Sequence, residues 1–230
     1  MIYINDLANA IQVGDLILFA DDATYSSYGE DYNEAIESVN HNLRLLSKWF
    51  IANRLSINLI KTEAMFHTRK NIYFPLPPVI LDGTPIAYNY ILKFLGVMID
   101  YKITWKAHIN LIQKKISRAC GILYTIRNKI TKEVARLIYF AIAYPYLNYC
   151  NLVWGCCYPT LTNELFITQK KLIRCILRKR RDAPSNPLFK ELKLLKIHEV
   201  IKLNLATFVL KSRNDLITCS IQFNARVHGP

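Results

Sequence analysis

The sequence predicts an α+β fold, with short strands in the first hundred residues and helices in most of the remainder. One observation is the unbroken apolar run Leu16–Ala20, which is too short for a helix and is typical of a strand buried on both faces. Another is a change of period, because apolar residues recur at steps of three and four over Asp31–Asn53 and again after Asp100. We therefore expect a strand-rich region up to about Asp100, followed by helices.

Turn signals divide the first hundred residues into short elements. The run Leu16–Ala20 stops at Asp21-Asp22 and extended residues resume at Ala23, which predicts a hairpin. The amphipathic helix over Asp31–Asn53 comes next, and Asp82-Gly83 further on is typical of a second hairpin turn. The strands expected after the helix are Ser56–Asn58, Glu63–Thr68, Val79–Leu81, Thr84–Ile86 and Lys93–Asp100, the last with a bend at Gly96.

The second region is predicted to be helical. Its first apolar row runs from Ile109 to Ile126 over about five turns. Further helical segments are expected over Lys132–Tyr144, Asn163–Lys179 and Leu188–Lys211. Lys170, Arg174 and Arg178 follow one another at steps of four, which predicts a basic stripe along one helix.

Length and composition exclude several classes of protein. The chain has 230 residues, 52% of them hydrophobic, with seven glycines and nine prolines, so disordered, collagen-like and low-complexity chains are excluded. Its glycines are scattered singly and form no glycine-rich phosphate loop. The six cysteines contain no Cys-x-x-Cys pair, which argues against a zinc ribbon. Because no secretory signal pattern is present, we expect an intracellular protein, nuclear or cytoplasmic and not secreted.

Charge is divided unevenly along the chain. Residues 1–60 contain three basic and eight acidic residues, a net charge of −5, whereas residues 61–230 contain 27 basic and nine acidic residues, a net charge of +18. An acidic segment followed by a strongly basic one indicates a cation site beside a surface for a polyanion. A solvated basic surface without a specific partner is the alternative.

The uncharged stretch Leu137–Asn163 raises the question of a membrane span. A transmembrane helix needs about 20 mostly apolar residues. This stretch contains Pro145, Pro159 and several polar residues that break a helix or require partners in lipid. We therefore expect a buried helix, a turn at Pro145 and a second apolar segment, with no membrane partner; a small membrane protein is the alternative.

Asp21 and Asp22 are the candidate metal ligands. Two adjacent carboxylates repel each other by about 1 kcal/mol even in water, and ordinary hairpin turns favour one Asp followed by Gly. Mg²⁺ takes one or two protein carboxylates and completes its shell with water and substrate phosphates. The pair therefore suits a divalent cation that assists phosphoryl transfer, and a solvated turn is the simpler alternative.

Phe19-Ala20-Asp21-Asp22 resembles the catalytic hairpin of reverse transcriptases of non-LTR (LINE-like, jockey- or CR1-type) retrotransposons. Further segments resemble motifs of that family in the same order, and together they cover about residues 1–212. They are Tyr3–Leu7, Trp49-Phe50 with Asn53-x-Leu55-Ser56-x-Asn58-x-x-Lys61-Thr62, Phe94-Leu95-Gly96-Val97-x-Ile99-Asp100, Thr104-Trp105-x-x-His108-Ile109, and Pro145-Tyr146-Leu147-x-Tyr149 with Trp154-Gly155.

This resemblance implies a partial polymerase palm over residues 1–100, which carries the catalytic hairpin and the primer grip. An all-α, basic, thumb-like domain over 101–212 and a frayed tail over 213–230 would follow. Asp21 and Asp22 would bind the catalytic Mg²⁺ or Mn²⁺. Lys61 would be the third catalytic residue, near the phosphates of the incoming deoxynucleoside triphosphate.

The resemblance also implies residues that bind nucleic acid. Phe94, Leu95 and Gly96 would hold the primer end. Basic residues of the thumb would lie along the phosphates of an RNA template and DNA primer, that is, of an RNA–DNA hybrid. They are Lys114, Lys115, Arg118, Lys170, Lys171, Arg174 and Arg178.

Other parts of the family's polymerase have no counterpart in the sequence. The family's palm includes an earlier strand with another metal-binding Asp, and its fingers bind template and triphosphate. We therefore expect the chain to correspond to a C-terminal fragment that binds metal weakly and is inactive alone. Two functions stay open: a fragment of an RNA-directed DNA polymerase that uses two-metal nucleotidyl transfer when complete, or a catalytically dead nucleic-acid-binding remnant of a mobile element.

Overall fold

The structure, a computed structural model, describes residues 4–20, 22–68 and 75–213. These residues form a mixed α and β fold, as the sequence predicts, and they include three small antiparallel hairpins. Contacts divide the chain into two units, Met1–Leu92 and Lys93–Pro230, whereas the sequence places the boundary near Asp100. Tyr3 and the predicted tail after Arg213 lie outside the described residues.

In the described part of the first unit, a short 3₁₀ turn precedes a hairpin, a long helix and a second hairpin, and the last three follow the order that the sequence predicts. The elements are the 3₁₀ turn Leu7–Ala10, β1 (Asp15–Phe19), β2 (Asp22–Ser26), α1 (Tyr32–Ala52), β3 (Val79–Leu81) and β4 (Thr84–Ile86).

Helix α1 begins after a residue that caps its N-terminus. It packs through the apolar face that the sequence predicts. Asp31 accepts a hydrogen bond from the backbone N–H of Glu34 at 2.9 Å, which satisfies one of the free donors of the first turn. Ile36 is buried in a cluster with residues of β3 and β4. The Asn40 side chain donates to the carbonyl of Pro78 and accepts from the backbone N–H of Ile80. These two bonds fix the second hairpin against the helix.

Two predictions for the first unit are wrong. Strand β1 is not buried on both faces, because Ile17 is 51% and Phe19 is 58% exposed. Among the described residues its sheet consists of β1 and β2, and pairing with β2 at one edge leaves the faces of β1 accessible. The expected strands at Ser56–Asn58 and Glu63–Thr68 are also not formed, apart from one isolated bridge at Ala64.

The second unit contains one hairpin followed by helices. The elements are β5 (Ile91–Phe94), β6 (Val97–Asp100), α2 (Lys106–Ile126), α3 (Lys132–Ile138), a π-helical turn (Tyr139–Ala143), α4 (Tyr144–Asn148), α5 (Asn151–Trp154), α6 (Pro159–Ile176), α7 (Ser185–Leu192) and α8 (Ile197–Lys211). Among the described residues, no helix has the length and apolar character that a bilayer crossing requires.

Helix α2 lies at the centre of the core of this unit. Its row Ile109, Ile112, Ile116 and Leu123 is at most 1% exposed, which confirms the predicted apolar face. The row packs against α6 and the segment that includes the π-helical turn. Burial of one such side chain contributes roughly 1.5–3 kcal/mol, so these four residues supply a large part of the unit's stability.

Four predicted elements of this unit differ in the structure. The helix predicted over Leu188–Lys211 is two helices, α7 and α8, because Lys193 (φ 52°) is left-handed and ends the first of them. The single strand Lys93–Asp100 is a hairpin, because Leu95 (φ 44°) and Gly96 (φ 84°) both adopt the left-handed conformation of a tight turn. The helix predicted from Lys132 continues beyond Tyr144, through the π-helical turn and α4. Helix α6 ends before Arg178, whose φ of 54° is incompatible with a continued helix.

A buried glutamine connects three segments of the helical core. Gln169 on α6 is fully buried and its amide donates to the Tyr139 hydroxyl and to the Leu195 carbonyl, both at 3.0 Å. Its amide oxygen accepts from the backbone N–H of Ile197 at 3.0 Å. Burial raises the pKa of Tyr139 to about 12, so this hydroxyl stays protonated. Every polar atom of the Gln169 amide group is thereby used in the core.

The connection from β6 to α2 is organised by the carboxylate of Asp100, which is only 9% exposed. It accepts hydrogen bonds from the backbone N–H groups of Lys102, Thr104 and Trp105 and from the Thr104 hydroxyl, at 2.9–3.2 Å. Ile103 (φ 54°) and Trp105 (φ 65°) are left-handed without being glycines. Bonds to a charged acceptor contribute about 1.5–3 kcal/mol each, which offsets the cost of these conformations.

His108 in the first turns of α2 is a buried histidine with one unused polar atom. Its Nδ1 accepts from the backbone N–H of Met98 at 3.3 Å, which joins the helix to β6. Its Nε2 has no hydrogen-bond partner among the described residues. The Trp154 ring lies 5.8 Å away. Burial lowers the pKa of His108, so the folded protein holds the neutral ring.

We expect His108 to make the second unit less stable in acid. The unfolded chain takes up a proton near its ordinary pKa of about 6.5, whereas the folded chain does so only at lower pH. The free energy of unfolding should therefore fall as the pH is lowered through about 6.5. Urea unfolding at a series of pH values, followed by tryptophan fluorescence, measures this dependence. His108→Phe should flatten it, whereas His198→Asn at an exposed position should leave it in place; an unchanged slope in His108→Phe would contradict the assignment.

Candidate catalytic hairpin and nucleic-acid interface

The predicted catalytic hairpin is formed by β1 and β2, whose register pairs Phe19 with Asp22. This register leaves two residues, Ala20 and Asp21, between the strands. Ala20 has a φ of 54°, which the first central position of a type I′ turn requires. A non-glycine residue in this conformation costs about 1–2 kcal/mol. The hairpin therefore carries backbone strain at Ala20, and the carboxylate of Asp22 lies at the start of β2.

The described part of this hairpin offers oxygen donors that suit a hard cation. Asp22 is exposed at the start of β2, and Asp21 lies outside the described residues. Carboxylate oxygens are the ligands that Mg²⁺ and Mn²⁺ prefer. No group of three His, Cys, Asp or Glu side chains with the arrangement of a metal site occurs within 4–20, 22–68 and 75–213. Asp22 therefore fits such an ion as one ligand of a set.

Lys61 lies on an exposed turn that Asn58 holds together. The Asn58 carbonyl accepts from the Lys61 N–H at 3.1 Å and from the Thr62 hydroxyl at 2.9 Å, and the Asn58 side chain also accepts from the Lys61 N–H. The polar residues of this motif thus fix the backbone and leave the ammonium group in solvent. In the part of the chain that the structure describes, no ion pair joins Lys61 to Asp22.

The predicted primer grip is the turn of the β5–β6 hairpin. Phe94 ends β5, and Leu95 and Gly96 form the turn. Gly96 is exposed and its φ of 84° favours glycine. The three residues that the resemblance assigns to the primer end are therefore presented together at one hairpin tip.

Side chains from three of the resemblance motifs of the second unit converge on this hairpin. The Tyr149 hydroxyl donates to the carbonyl of Leu95 at 2.6 Å. His108 accepts from Met98, and Asp100 caps the chain that leads from β6 into α2. Sequence reasoning quoted these residues in the motifs but gave them no role in the site. Their position in the motifs was the available signal, since the contacts themselves join distant parts of the chain.

The basic residues predicted to contact nucleic acid divide into two groups, of which the first lines an open groove. Lys114 and Arg118 line this groove, of about 430 Å³, on α2. The rest of its lining is neutral and polar. It consists of Asn110, Gln113, Ser117 and Thr168. Cations beside amide and hydroxyl groups can contact phosphates and sugars without reading sequence.

The second group is partly engaged inside the protein. Arg174 donates through Nε to the Ala183 carbonyl at 2.9 Å. Arg178 donates to the carbonyls of residues 127 and 130, of which the second lies at 2.9 Å. Lys170 lies 4.6 Å from the ring centroid of Phe166, and Lys115 lies 5.8 Å from that of Tyr146. Lys171 is exposed on α6. The residues of the predicted basic stripe, Lys170, Arg174 and Arg178, therefore also make contacts within the protein.

Comparison with known proteins identifies similar polymerases from mobile elements. The chain is 27% identical over 162 residues to the RNA-directed DNA polymerase from mobile element jockey of Drosophila funebris, a match that covers 69% of this chain and 17% of the relative. It is 23% identical over 189 residues to the probable RNA-directed DNA polymerase from transposon X-element of Drosophila melanogaster, which covers 81% of this chain and 21% of the relative.

The chain thus spans about one fifth of the length of the curated relatives it matches. A jockey polymerase from Drosophila melanogaster is 28% identical over 162 residues, with the same coverage as its counterpart in Drosophila funebris. No family model matches the chain. No solved structure matches it either. The resemblance that the motifs predict is confirmed, and the chain is related to the RNA-directed DNA polymerases of non-LTR retrotransposons.

Proposed function

We propose that this chain is a part of an RNA-directed DNA polymerase that supplies one side of a two-metal site, the primer grip and a basic thumb. The observation that carries the proposal is the β1–β2 hairpin, whose register pairs Phe19 with Asp22 and so puts Asp22, which follows Asp21 in the sequence, at the start of β2. The similarity to RNA-directed DNA polymerases of mobile elements supports a role of Asp21 and Asp22 in metal binding. In this proposal residues 1–100 belong to the palm and residues 101–212 to the thumb.

Each part of the chain has a separate task in the proposed reaction. Asp21 and Asp22 hold divalent Mg²⁺ or Mn²⁺, which stabilises the negative charge that develops in phosphoryl transfer. Lys61 lies near the phosphates of the incoming deoxynucleoside triphosphate, where an ammonium group acts as a point charge. The Phe94-Leu95-Gly96 turn holds the primer end.

The thumb binds the RNA–DNA hybrid through its phosphates in this proposal. Lys114 and Arg118 line the open groove, and Lys171 is exposed on α6. Arg174 and Arg178 add positive charge to the same unit, although part of each guanidinium binds backbone carbonyls. Such contacts give affinity without sequence preference, since phosphates are common to all sequences.

A second candidate function is that of a nucleic-acid-binding remnant without catalysis. The observation behind it is the groove lined by Lys114 and Arg118, because contacts with phosphates there need no metal ion. The basic groove is present in both proposals. The two differ in whether Asp21 and Asp22 take part in a reaction.

We expect binding of RNA–DNA hybrid to depend steeply on salt. With about six phosphate contacts, the slope of log affinity against log salt should be near −5. Alanine at Lys114, Arg118 and Lys171 should flatten the slope by about 2–3. Alanine at Lys170, Arg174 and Arg178 should flatten the slope by a similar amount, but it would also remove contacts that these side chains make within the protein.

Fluorescence anisotropy at several salt concentrations measures the slope. Lys202→Ala with Lys211→Ala is the matched control, because it removes exposed lysines of α8 from the same unit. This control should leave the slope near the wild-type value. A salt-independent affinity in the wild-type chain would contradict phosphate binding.

We expect Mg²⁺ or Mn²⁺ to bind weakly to the chain. Adjacent carboxylates without substrate phosphates complete little of an octahedral shell. Titration with Mn²⁺, followed by water proton relaxation, should show a weak site that Asp21→Ala abolishes. Asp15→Ala, at the opposite end of the same hairpin, should leave the site intact. Tight binding that survives Asp21→Ala would show that the metal lies elsewhere.

We expect that the 230-residue chain alone does not polymerise DNA. The reaction needs a primer hydroxyl in line with the triphosphate and metal ligands on both sides of the ions. Fusion of the chain to the preceding palm and fingers of a full-length relative should give template-dependent incorporation. Asp21→Asn should remove that activity, because a neutral amide is a poorer Mg²⁺ ligand.

Asp15→Asn in the same fusion is the control and should retain activity. A fusion that binds hybrid but shows no incorporation would favour the non-catalytic remnant. Mg²⁺-dependent incorporation by the unfused chain, lost in Asp21→Asn, would show that the chain contains a further ligand.

A further inference from the structure

The turn of the β5–β6 hairpin is held by a tyrosine to which the proposed function gives no task. The Tyr149 hydroxyl donates to the Leu95 carbonyl at 2.6 Å, across 54 residues of sequence. We propose that Tyr149 is a positioning residue, which fixes the Leu95-Gly96 turn in the conformation that receives the 3′ end of a DNA strand. This inference rests on the proposed function, since it takes the turn to be the primer grip.

The turn needs such a support because its backbone is unfavourable on its own. Leu95 has a φ of 44° and Gly96 a φ of 84°, so both residues are left-handed. Glycine adopts this region freely, whereas leucine is disfavoured there. A disfavoured conformation persists only where surrounding contacts determine it. The hydrogen bond from Tyr149 is made to Leu95, which is the residue whose backbone conformation needs support.

The Tyr149 ring also lies alongside the turn. A Cβ atom added at Gly96 would meet the Cε1 atom of Tyr149 at 3.5 Å, which is ordinary van der Waals contact. The hydroxyl therefore binds one residue of the turn, and the ring lies on the side of the next residue to which a side chain would point. Together these contacts define both the position and the orientation of the turn.

Tyr149 can act as a support because its own backbone is fixed. Its N–H donates to the Pro145 carbonyl at 2.9 Å, and its carbonyl accepts from the Trp154 indole N–H at 2.8 Å. Trp154 is fully buried in the helical core. The left-handed Cys150 directly after Tyr149 turns the chain into α5. The turn is thus connected to the core of the unit through one side chain.

The same turn stays accessible to a ligand. Gly96 is exposed and Tyr149 is 51% exposed, so neither is enclosed by the protein. The absence of a side chain at Gly96 allows the sugar–phosphate backbone of a strand end to approach the main chain closely. An accessible turn held by a hydrogen bond is suited to fix a strand end rather than only to join two strands.

The test compares two RNA–DNA hybrids with the full 230-residue chain. One hybrid has a recessed DNA 3′ end, and the other is of equal length but closed at that end by a loop. The wild-type chain should bind the recessed hybrid more tightly. Tyr149→Phe should reduce this preference by about three- to ten-fold, the effect of one neutral hydrogen bond, and should leave affinity for the closed hybrid within about twofold.

Tyr158→Phe is the matched control, because it removes a hydroxyl from a tyrosine that is 68% exposed in the same unit. It should leave the preference unchanged. Hydrogen exchange gives a second readout: Tyr149→Phe should speed exchange at Gly96 and Val97 while protection of α2 is retained. Loss of protection throughout α2 would show a general structural role and would overturn the proposal.

The outcomes separate this inference from the proposed function. An undiminished preference for the 3′ end in Tyr149→Phe, or an equal loss of affinity for both hybrids, overturns the role of Tyr149 alone. Failure of the wild-type chain to bind either hybrid overturns the proposed function, and the inference with it.

Discussion

The carboxylate of Asp100 is the interaction on which the second unit depends. It gathers three backbone N–H groups and one hydroxyl within six residues, at the point where a strand becomes a helix. The chain passes there through two left-handed non-glycine residues, Ile103 and Trp105, a conformation that would be unfavourable without these bonds. Because α2 starts directly afterwards, the direction of the central helix follows from this one buried carboxylate.

The contacts around the β5–β6 turn depend on the position of α2. The helix brings His108 to the backbone of Met98, and its ring lies beside Trp154. Trp154 in turn holds the backbone of Tyr149, whose hydroxyl reaches Leu95. The motif residues of the second unit are therefore explained by packing and hydrogen bonding around one hairpin. A two-stranded hairpin is only marginally stable by itself. These contacts therefore keep the β5–β6 turn in one conformation.

The basic residues of the helical unit combine two kinds of interaction. Arg174 and Arg178 bind backbone carbonyl groups of the segments that follow α6 and α2. A guanidinium has five N–H donors, so a group that binds a backbone carbonyl retains donors for a phosphate. Lys114 and Arg118 instead stand in an open groove. A net charge of +13 is consequently compatible with both a stable helical core and a surface for a polyanion.

The sequence by itself determined the α+β class, the two hairpin turns in the first unit, the apolar faces of α1 and α2 and the similarity to polymerases of mobile elements. These features are local, because a period of two or 3.6 residues and a turn dipeptide are read within a few neighbouring positions. Only the tertiary structure decided that β1 is half exposed, that Lys93–Asp100 is a hairpin, and that Arg178 lies beyond its helix. It also decided the partners of Asp100, His108 and Tyr149. A hydrophobic pattern reports which face of an element is buried but not what covers it, and the Tyr149–Leu95 bond joins residues 54 positions apart.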